Sequence, residues 1–366
     1  MTVMEFNAGE RVSLSLDWDV ALVDPASGEL VGRAGEVLDA LAEPSFSAGF
    51  MTNTVRISTA VHRNVPGAIA ELRALATKVV AAADAAGCGV IGVGVHPYSD
   101  WHVQTITPDH HGIELVERGR EWSRQLAAWG MGVHVGVEDP QMIPSIIGAL
   151  GRNYQWLLAP TAASPYWLGQ NTGFVSHRTL LRRQVPGAGL PSRFDSWEDT
   201  VQAVNGMCRA GVIERWEDLD WTLRPEPWSG TVGVTVADSQ PSLFHIAAHA
   251  AVVQCIVEEA IRAVQAGKPL PLLPMWVVRE NKFRAARFGL DTKIIVDADG
   301  NEQPAREAFA RRIDELQGIA RDLGCEGELV SCLLLLDSTP AERQRATLRG
   351  GNRIGLIDSL RTDFLR

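Results

Sequence analysis

A stretch of alternating side chains near the start constrains this chain most. From Ser13 to Asp24 it reads Ser-Leu-Ser-Leu-Asp-Trp-Asp-Val-Ala-Leu-Val-Asp, and apolar and polar residues take turns for much of that length. Period-two alternation describes a strand with one face on a core. Asp17 and Asp19 then point to the same side. At a rise of roughly 3.4 Å per residue, their carboxylates stand about 7 Å apart. Such a pair repels itself unless a cation or an arginine lies between, or unless the strand is an exposed edge with both acids solvated. Mg²⁺ prefers oxygen ligands of this kind and usually shares them with phosphate.

Further elements follow the same logic. Asp24-Pro25-Ala26-Ser27-Gly28 reads as a turn, and Phe50 to Val61 alternates again as a second strand. Pro66 to Gly87 has a helical stripe of Ile69, Leu72, Leu75, Ala76 and Val79, with Gly87 as its stop. Strands are expected over Cys88–His96, Met131–Val137, Asp220–Arg224 and Gly230–Val236. The apolar run Cys332–Leu336 also reads as a buried strand. Helices are expected over 114–129, 140–158, 197–210, 243–266 and 275–288, with two more closing the chain. About six strands among many helices, several in hairpin-like pairs, predict an α+β fold on a largely antiparallel sheet. No repeat, linker or composition shift divides the chain. Three strands place polar side chains on one face, which suggests a ligand cavity against that face.

Composition narrows the function classes. A net charge of −10 and a pI near 5.4 disfavour a general nucleic-acid binder, which would carry a basic face. A small anion remains compatible, because a few local arginines capture phosphate whatever the net charge. Five cysteines with no CxxC spacing argue against a disulfide framework or a thiolate zinc site. Met1 to Glu10 has neither a basic n-region nor an apolar h-region, and no apolar run approaches the roughly 20 residues of a membrane span. A cytoplasmic protein without a membrane partner is expected.

Several constellations could carry chemistry. His134 sits in the apolar strand Met131-Gly-Val-His-Val-Gly-Val137, where it is either a ligand or a core histidine with a buried partner; His96, before Pro97, has the same ambiguity. Arg224 projects from a strand, and Asp238 and Gln240 share a face two residues apart. Lys282, Arg284 and Arg287 lie on one helical segment, and arginines three apart on a helix share a face. They could clamp a phosphate or simply form a solvated basic face. There is no Walker P-loop and no GxGxxG opening a helix, and no HExxH, GxSxG or catalytic cysteine signature. His110-His111 is a pair without a third ligand.

Taken in order, these segments resemble the bacterial carboxylate–amine ligases of the glutamate–cysteine ligase type 2 family. The resemblance rests on Ala21-Leu-Val-Asp-Pro-Ala-Ser-Gly28, Gly94-Val-His-Pro97, Val133-His-Val-Gly-Val137 and Ser164-Pro-Tyr-Trp-Leu-Gly-Gln-Asn-Thr-Gly173. It continues through Leu223-Arg-Pro225, Gly230-Thr-Val232, Asp238-Ser-Gln-Pro241, Glu280-Asn-Lys-Phe-Arg-Ala-Ala-Arg-Phe-Gly-Leu-Asp291 and Arg343-Gln-Arg345. It implies one domain over 1–366, with a six-stranded, mostly antiparallel sheet curved into a half-open barrel and covered by helices, as in glutamine synthetases and guanido kinases. It implies ATP and Mg²⁺ on the concave side and a carboxylate activated as an acyl phosphate before an amine attacks. Phosphoryl transfer of this kind is mainly positioning and charge neutralisation. Carried over residue by residue, Asp17, Asp19 and His134 would hold the metal. Arg224, Arg284 and Arg287 would act on phosphate or substrate carboxylate, and Lys282, Arg287, Asp238 and Gln240 would hold the nucleotide.

The sequence also departs from that family. Where relatives carry Glu-Glu-Glu-Phe, this chain has Asp17-Trp-Asp-Val20. Where they carry Gln-Val-Glu, it has Thr54-Val-Arg56. Where they carry Gly-Thr-Val-Glu-Val-Arg, it has Gly230-Thr-Val-Gly-Val-Thr235. Losing two glutamates and gaining an arginine shifts the charge by about +3, which at short range amounts to several kcal/mol. Arg56 could then stand in for a metal ion beside Asp17 or Asp19. Two expectations follow: a ligase with a reduced metal set, or a catalytically silent paralogue that binds a ligand. Amino-acid or carboxylate and amine substrates fit the first, and pairing with an intact homologue fits the second; a homo-oligomer is compatible with either.

Overall fold

The computed structural model describes residues 5–185, 187–268 and 270–366, the side chains of His110 and His111 excepted. Met1 to Met4 and the His110-His111 side chains therefore lie outside the described residues.

The alternating stretch is the central strand, β1 (Leu14–Val23). It is followed by β2 (Phe46–Ala48), β3 (Thr54–Ser58), β4 (Gly89–Ile91), β5 (Met131–Gly136), β6 (Tyr166–Trp167), β7 (Gln170–Asn171), β8 (Leu223–Glu226), β9 (Thr231–Val234), β10 (Lys293–Ile295) and β11 (Glu302–Pro304). The main sheet has seven strands in the order β2-β3-β1-β5-β9-β8, with β4 beside the end of β1, and its pairings are antiparallel. It is one strand larger than expected because Phe46–Ala48, too short to show periodicity, adds an edge. The sheet stays open, and β6–β7 and β10–β11 are separate two-stranded pairs.

One face of the sheet is apolar. Leu14, Leu16, Trp18, Val20 and Leu22 are fully buried, together with Val133, Val135, Val232, Val234, Val55 and Ile57. Helices Val65–Ala85, Ile143–Arg152 and Leu243–Gln265 cover this side. The first starts as its sequence dictates: the Asn64 side chain accepts from the Gly67 N–H at 3.0 Å and Pro66 occupies the first turn. Leu243–Gln265 is apolar on all sides because it runs through the core. It is the one helix among the described residues long and apolar enough to cross a membrane, yet 89% of its apolar window is buried inside the protein.

Some expected elements change type or length. Cys332–Leu336 is a 3₁₀ turn, not a strand. Its run of leucines has no alternation and no β-branched residue, and it simply continues helix Glu326–Ser331. The 114–129 helix is instead His110–Gly119 followed by a 3₁₀ segment, Arg120–Gln125, and 140–158 breaks after Arg152. The strand expected over Asp220–Arg224 lies at Leu223–Glu226, which matters for the site because it brings Glu226 into the ladder.

Candidate active site on the polar face of the sheet

Register builds the site. Asp19 pairs with Arg56, Asp17 with Gly132, Ser15 with His134, His134 with Gly233, and Gly233 with Arg224. Residues directly opposite in a ladder share a face, so strands distant in sequence line up Asp17, Asp19, Arg56, His134 and Arg224 on the side of the sheet away from the apolar core.

Each acid on this face meets a cation. The Arg56 guanidinium donates through Nε to Asp19 Oδ1 at 2.7 Å and through Nη2 to Oδ2 at 3.1 Å, a two-pronged contact. Asp19, and more weakly Asp17, strengthen Arg56's hold on its proton. His134 donates through Nε2 to Asp17 Oδ2 at 3.2 Å and through Nδ1 to Glu226 Oε2 at 2.6 Å. Glu226 also accepts from Thr231 Oγ1 at 2.8 Å and pairs with Arg224 Nη2 at 2.7 Å. Burial alone would strip the His134 proton. The flanking carboxylates outweigh it and raise the pKa to about 9, so the ring is an imidazolium at neutral pH. Burial likewise opposes ionisation of Glu226, but His134 and then Arg224 bring it down to about 2; Asp17 is held low in the same way, chiefly by His134.

Glu226 is the residue that sequence reasoning missed. It stands two positions after Arg224, on the same strand face, and only the strand boundary, drawn too early, hid it. Its role explains Gly233. A Cβ on Gly233 would lie 2.5 Å from Glu226 Oε1, so the Glu226 carboxylate fills the space where the resemblance implies a glutamate side chain. The anion missing from β9 is supplied by β8.

The residues expected to hold a metal are paired with one another and with their neighbours. Asp17, Asp19 and His134 share a face and are engaged by neighbouring side chains: His134 donates to Asp17 and Glu226, and Arg56 contacts both oxygens of Asp19. Among the described residues, no group of three or more His, Cys, Asp or Glu side chains is placed to hold a metal ion. As paired here, they leave no open carboxylate set of the kind Mg²⁺ takes.

A cavity of about 360 Å³ opens against this face, within the size range of small-ligand sites. Asp17, Asp19, Arg56 and Arg224 line one side, and Arg178, Arg182 and Thr235 line it as well. The other expected site residues are not among its lining. Asp238 is fully buried and accepts from Ala163 N–H, Ser164 Oγ and Ser176 Oγ at 2.6–2.8 Å. Gln240, also fully buried, donates to the Thr161 and Asp238 carbonyls. Both tie the 161–178 segment to the end of β9. On helix Met275–Phe288, Arg284 pairs with Glu280 and Glu302, Lys282 lies 5.3 Å from the Tyr154 ring centre, and Arg287 sits over Phe174 and Phe288. Arg284 and Arg287 thus face different neighbours. His96 is a satisfied core histidine: Nε2 donates to the Gly28 carbonyl, Nδ1 accepts from the Ser99 N–H, and burial lowers its pKa to about 3.

Two solved structures share this architecture. The glutamate–cysteine ligase of Francisella tularensis, solved in complex with AMP, superimposes with a TM-score of 0.68 over 98% of this chain and 89% of that one, at 12% identity. A bifunctional glutathione synthetase from Pasteurella multocida gives the same TM-score over 96% of this chain and 52% of that one, also at 12% identity. At that identity the likeness speaks for the fold, and it defines the class: an α+β protein with the glutamate–cysteine ligase fold.

The sequence places the chain within that class. The profile of glutamate–cysteine ligase family 2 matches residues 20–361, and the chain belongs to that family. A Nocardia farcinica protein provisionally named glutamate–cysteine ligase 2-2 is 36% identical over 97% of this chain and 96% of its own length. A Clavibacter michiganensis subsp. michiganensis relative, provisionally named glutamate–cysteine ligase 2, is 40% identical over 88% of this chain and 86% of its own.

Proposed function

We propose that this chain keeps the small-ligand cavity of its family but has lost metal-dependent phosphoryl transfer, and that it acts as a binding protein for an amino-acid-like carboxylate. One observation carries this reading. The acids of the sheet are neutralised from within, in the rows Asp19–Arg56 and Asp17–His134–Glu226–Arg224. An ATP-using site of the family type needs carboxylates left open for dications that bridge phosphate. Here Arg56, His134 and Arg224 occupy those carboxylates, and at Glu226, whose side chain is 4% exposed, displacing them means stripping a buried, hydrogen-bonded carboxylate of its partners.

The second reading is an ATP-dependent carboxylate–amine ligase working through an acyl phosphate. Family membership and the names of the relatives favour it. ADP release from Mg–ATP with mixed amino acids and amines separates the two, run beside calorimetry with amino acids in the absence of nucleotide. Saturable binding without ADP release is the expected result. Amine-dependent ADP release would establish the ligase instead.

A further inference from the structure

Arg178, Arg182 and Thr235 form the part of the cavity wall whose polar groups are left incomplete. Arg178 is 4% exposed and lies in the short helix Arg178–Arg182. Its guanidinium fits only because Gly130 lacks a side chain there: a Cβ at that position would run into Arg178 Nη2. Its contacts are weak for so buried a charge. Nη1 and Nη2 reach the Val236 and Thr235 carbonyls at 3.4 Å, its ion pair with Asp238 is stretched to 4.0 Å, and Nε has no partner among the described residues. Asp238 already has three donors of its own. Burial pushes the Arg178 pKa down to about 10, and Arg182 adds to that pressure. Arg182, one turn on, pairs with Asp220 but leaves Nε without a partner among the described residues, and the buried Thr235 hydroxyl has none there either.

A buried guanidinium without a close counter-ion, beside a second guanidinium and a free hydroxyl, describes an incomplete anion site. The rest of the wall sets what kind of anion. Carboxylates outnumber arginines along the cavity, with Asp218, Asp220 and Glu217 among them. A polyphosphate or a dicarboxylate would meet net repulsion. A ligand that brings a positive charge with its carboxylate would not. Thr235 itself stands where the resemblance implies an arginine, so this wall holds one cation fewer than the family pattern.

We propose that Arg178, with Arg182 and the Thr235 hydroxyl, seats the single carboxylate of a net-neutral, zwitterionic amino acid, and that the cavity discriminates against acidic amino acids. This rests on the reading above that the cavity is a small-ligand site.

The test uses the full chain and the isosteric pair L-glutamine and L-glutamate, with inorganic phosphate as a third probe, in calorimetric titrations at neutral pH. The expected result is at least about tenfold tighter binding of glutamine than glutamate, and no saturable phosphate binding. Arg178→Lys keeps the charge but loses the planar fork and is expected to weaken glutamine binding by about tenfold or more. Thr235→Arg is expected to move the preference toward glutamate; it also carries the test if Arg178→Lys fails to fold in a thermal melt. Equal or tighter binding of glutamate, preferential phosphate binding, or no binding of either amino acid overturns the proposal. ADP release is a separate readout: if the chain turns over ATP while preferring glutamine, the binding-protein reading falls and this one stands.

Discussion

The two sides of the cavity solve the problem of buried charge in opposite ways. On the sheet, Asp17, His134, Glu226 and Arg224 alternate in sign, and each touches its neighbour within 3.2 Å. On the 178–182 helix, Arg178 finds its nearest acid at 4.0 Å and leaves a donor without a partner among the described residues. The first arrangement is closed by its own side chains. The second leaves donors without partners among the described residues. In this fold, the closed row stands where the resemblance implies metal chemistry, and the incompletely paired groups lie on the helix side.

The row should break most severely at Glu226. Its side chain is 4% exposed and serves two cations at once. Glu226→Gln keeps the shape but removes the charge, leaving His134 and Arg224 buried with one carboxylate fewer. Removing one partner of a buried pair costs about 3–5 kcal/mol, and a loss near the lower end is expected in denaturant unfolding, because Gln can still accept a hydrogen bond. The same variant lowers the His134 pKa from about 9, since the Glu226 charge does most to hold it up against burial. Proton-detected titration of the ring reads that directly. An unmoved pKa would show that Asp17 alone holds the imidazolium.

A smaller effect is expected when the family's glutamate is put back. Gly233→Glu would place its Cβ 2.5 Å from Glu226 Oε1, which overpacks the site and sets two carboxylates side by side. A destabilisation of roughly 1–3 kcal/mol follows from the crowding, and Mn²⁺ titration should show no saturable metal binding. Combined with Glu226→Gln, the strain should ease. Metal binding by the single variant would mean that the closed row opens easily and that the contrast between the two walls is shallow.

The alternation of β1 and the Asp17–Asp19 pair are enough to locate the polar face, because a strand's geometry is local. His134 stands out as a histidine in an apolar strand. Arg56 stands out by its place in the β3 pattern, and the ladder then sets it against Asp19. Glu226 is hidden by a strand boundary drawn two residues early, a distance over which sequence patterns are blind. Arg178 and Arg182 give no periodic signal at all: they lie in a five-residue helix after a long loop, and what marks them is incomplete pairing, which only tertiary packing can show. Asp238 and Gln240 are legible as a same-face pair but not as structural. Apart from the contact of Gln240 with the Asp238 carbonyl, their partners are in the 161–176 segment, more than sixty positions away.

The weakest pairing on the sheet face is that of Arg56 with Asp19. The Arg56 side chain is 45% exposed, against 19% for Asp19, so water already screens the pair. Exposed ion pairs contribute a few tenths to about 1 kcal/mol, and Arg56→Gln should cost no more than that in thermal unfolding despite the two-pronged geometry. Its informative effect lies elsewhere. The substitution frees Asp19 while leaving Asp17 engaged with His134, so one open carboxylate appears on the face and still lacks partners for a metal. Mn²⁺ should continue not to bind, and glutamine affinity should change little, because the Arg178 wall is untouched. If Arg56→Gln alone admitted a metal, Arg56 would be the single gate between this site and the family's metal chemistry. The Asp17–His134–Glu226 row would then be its support and not its replacement.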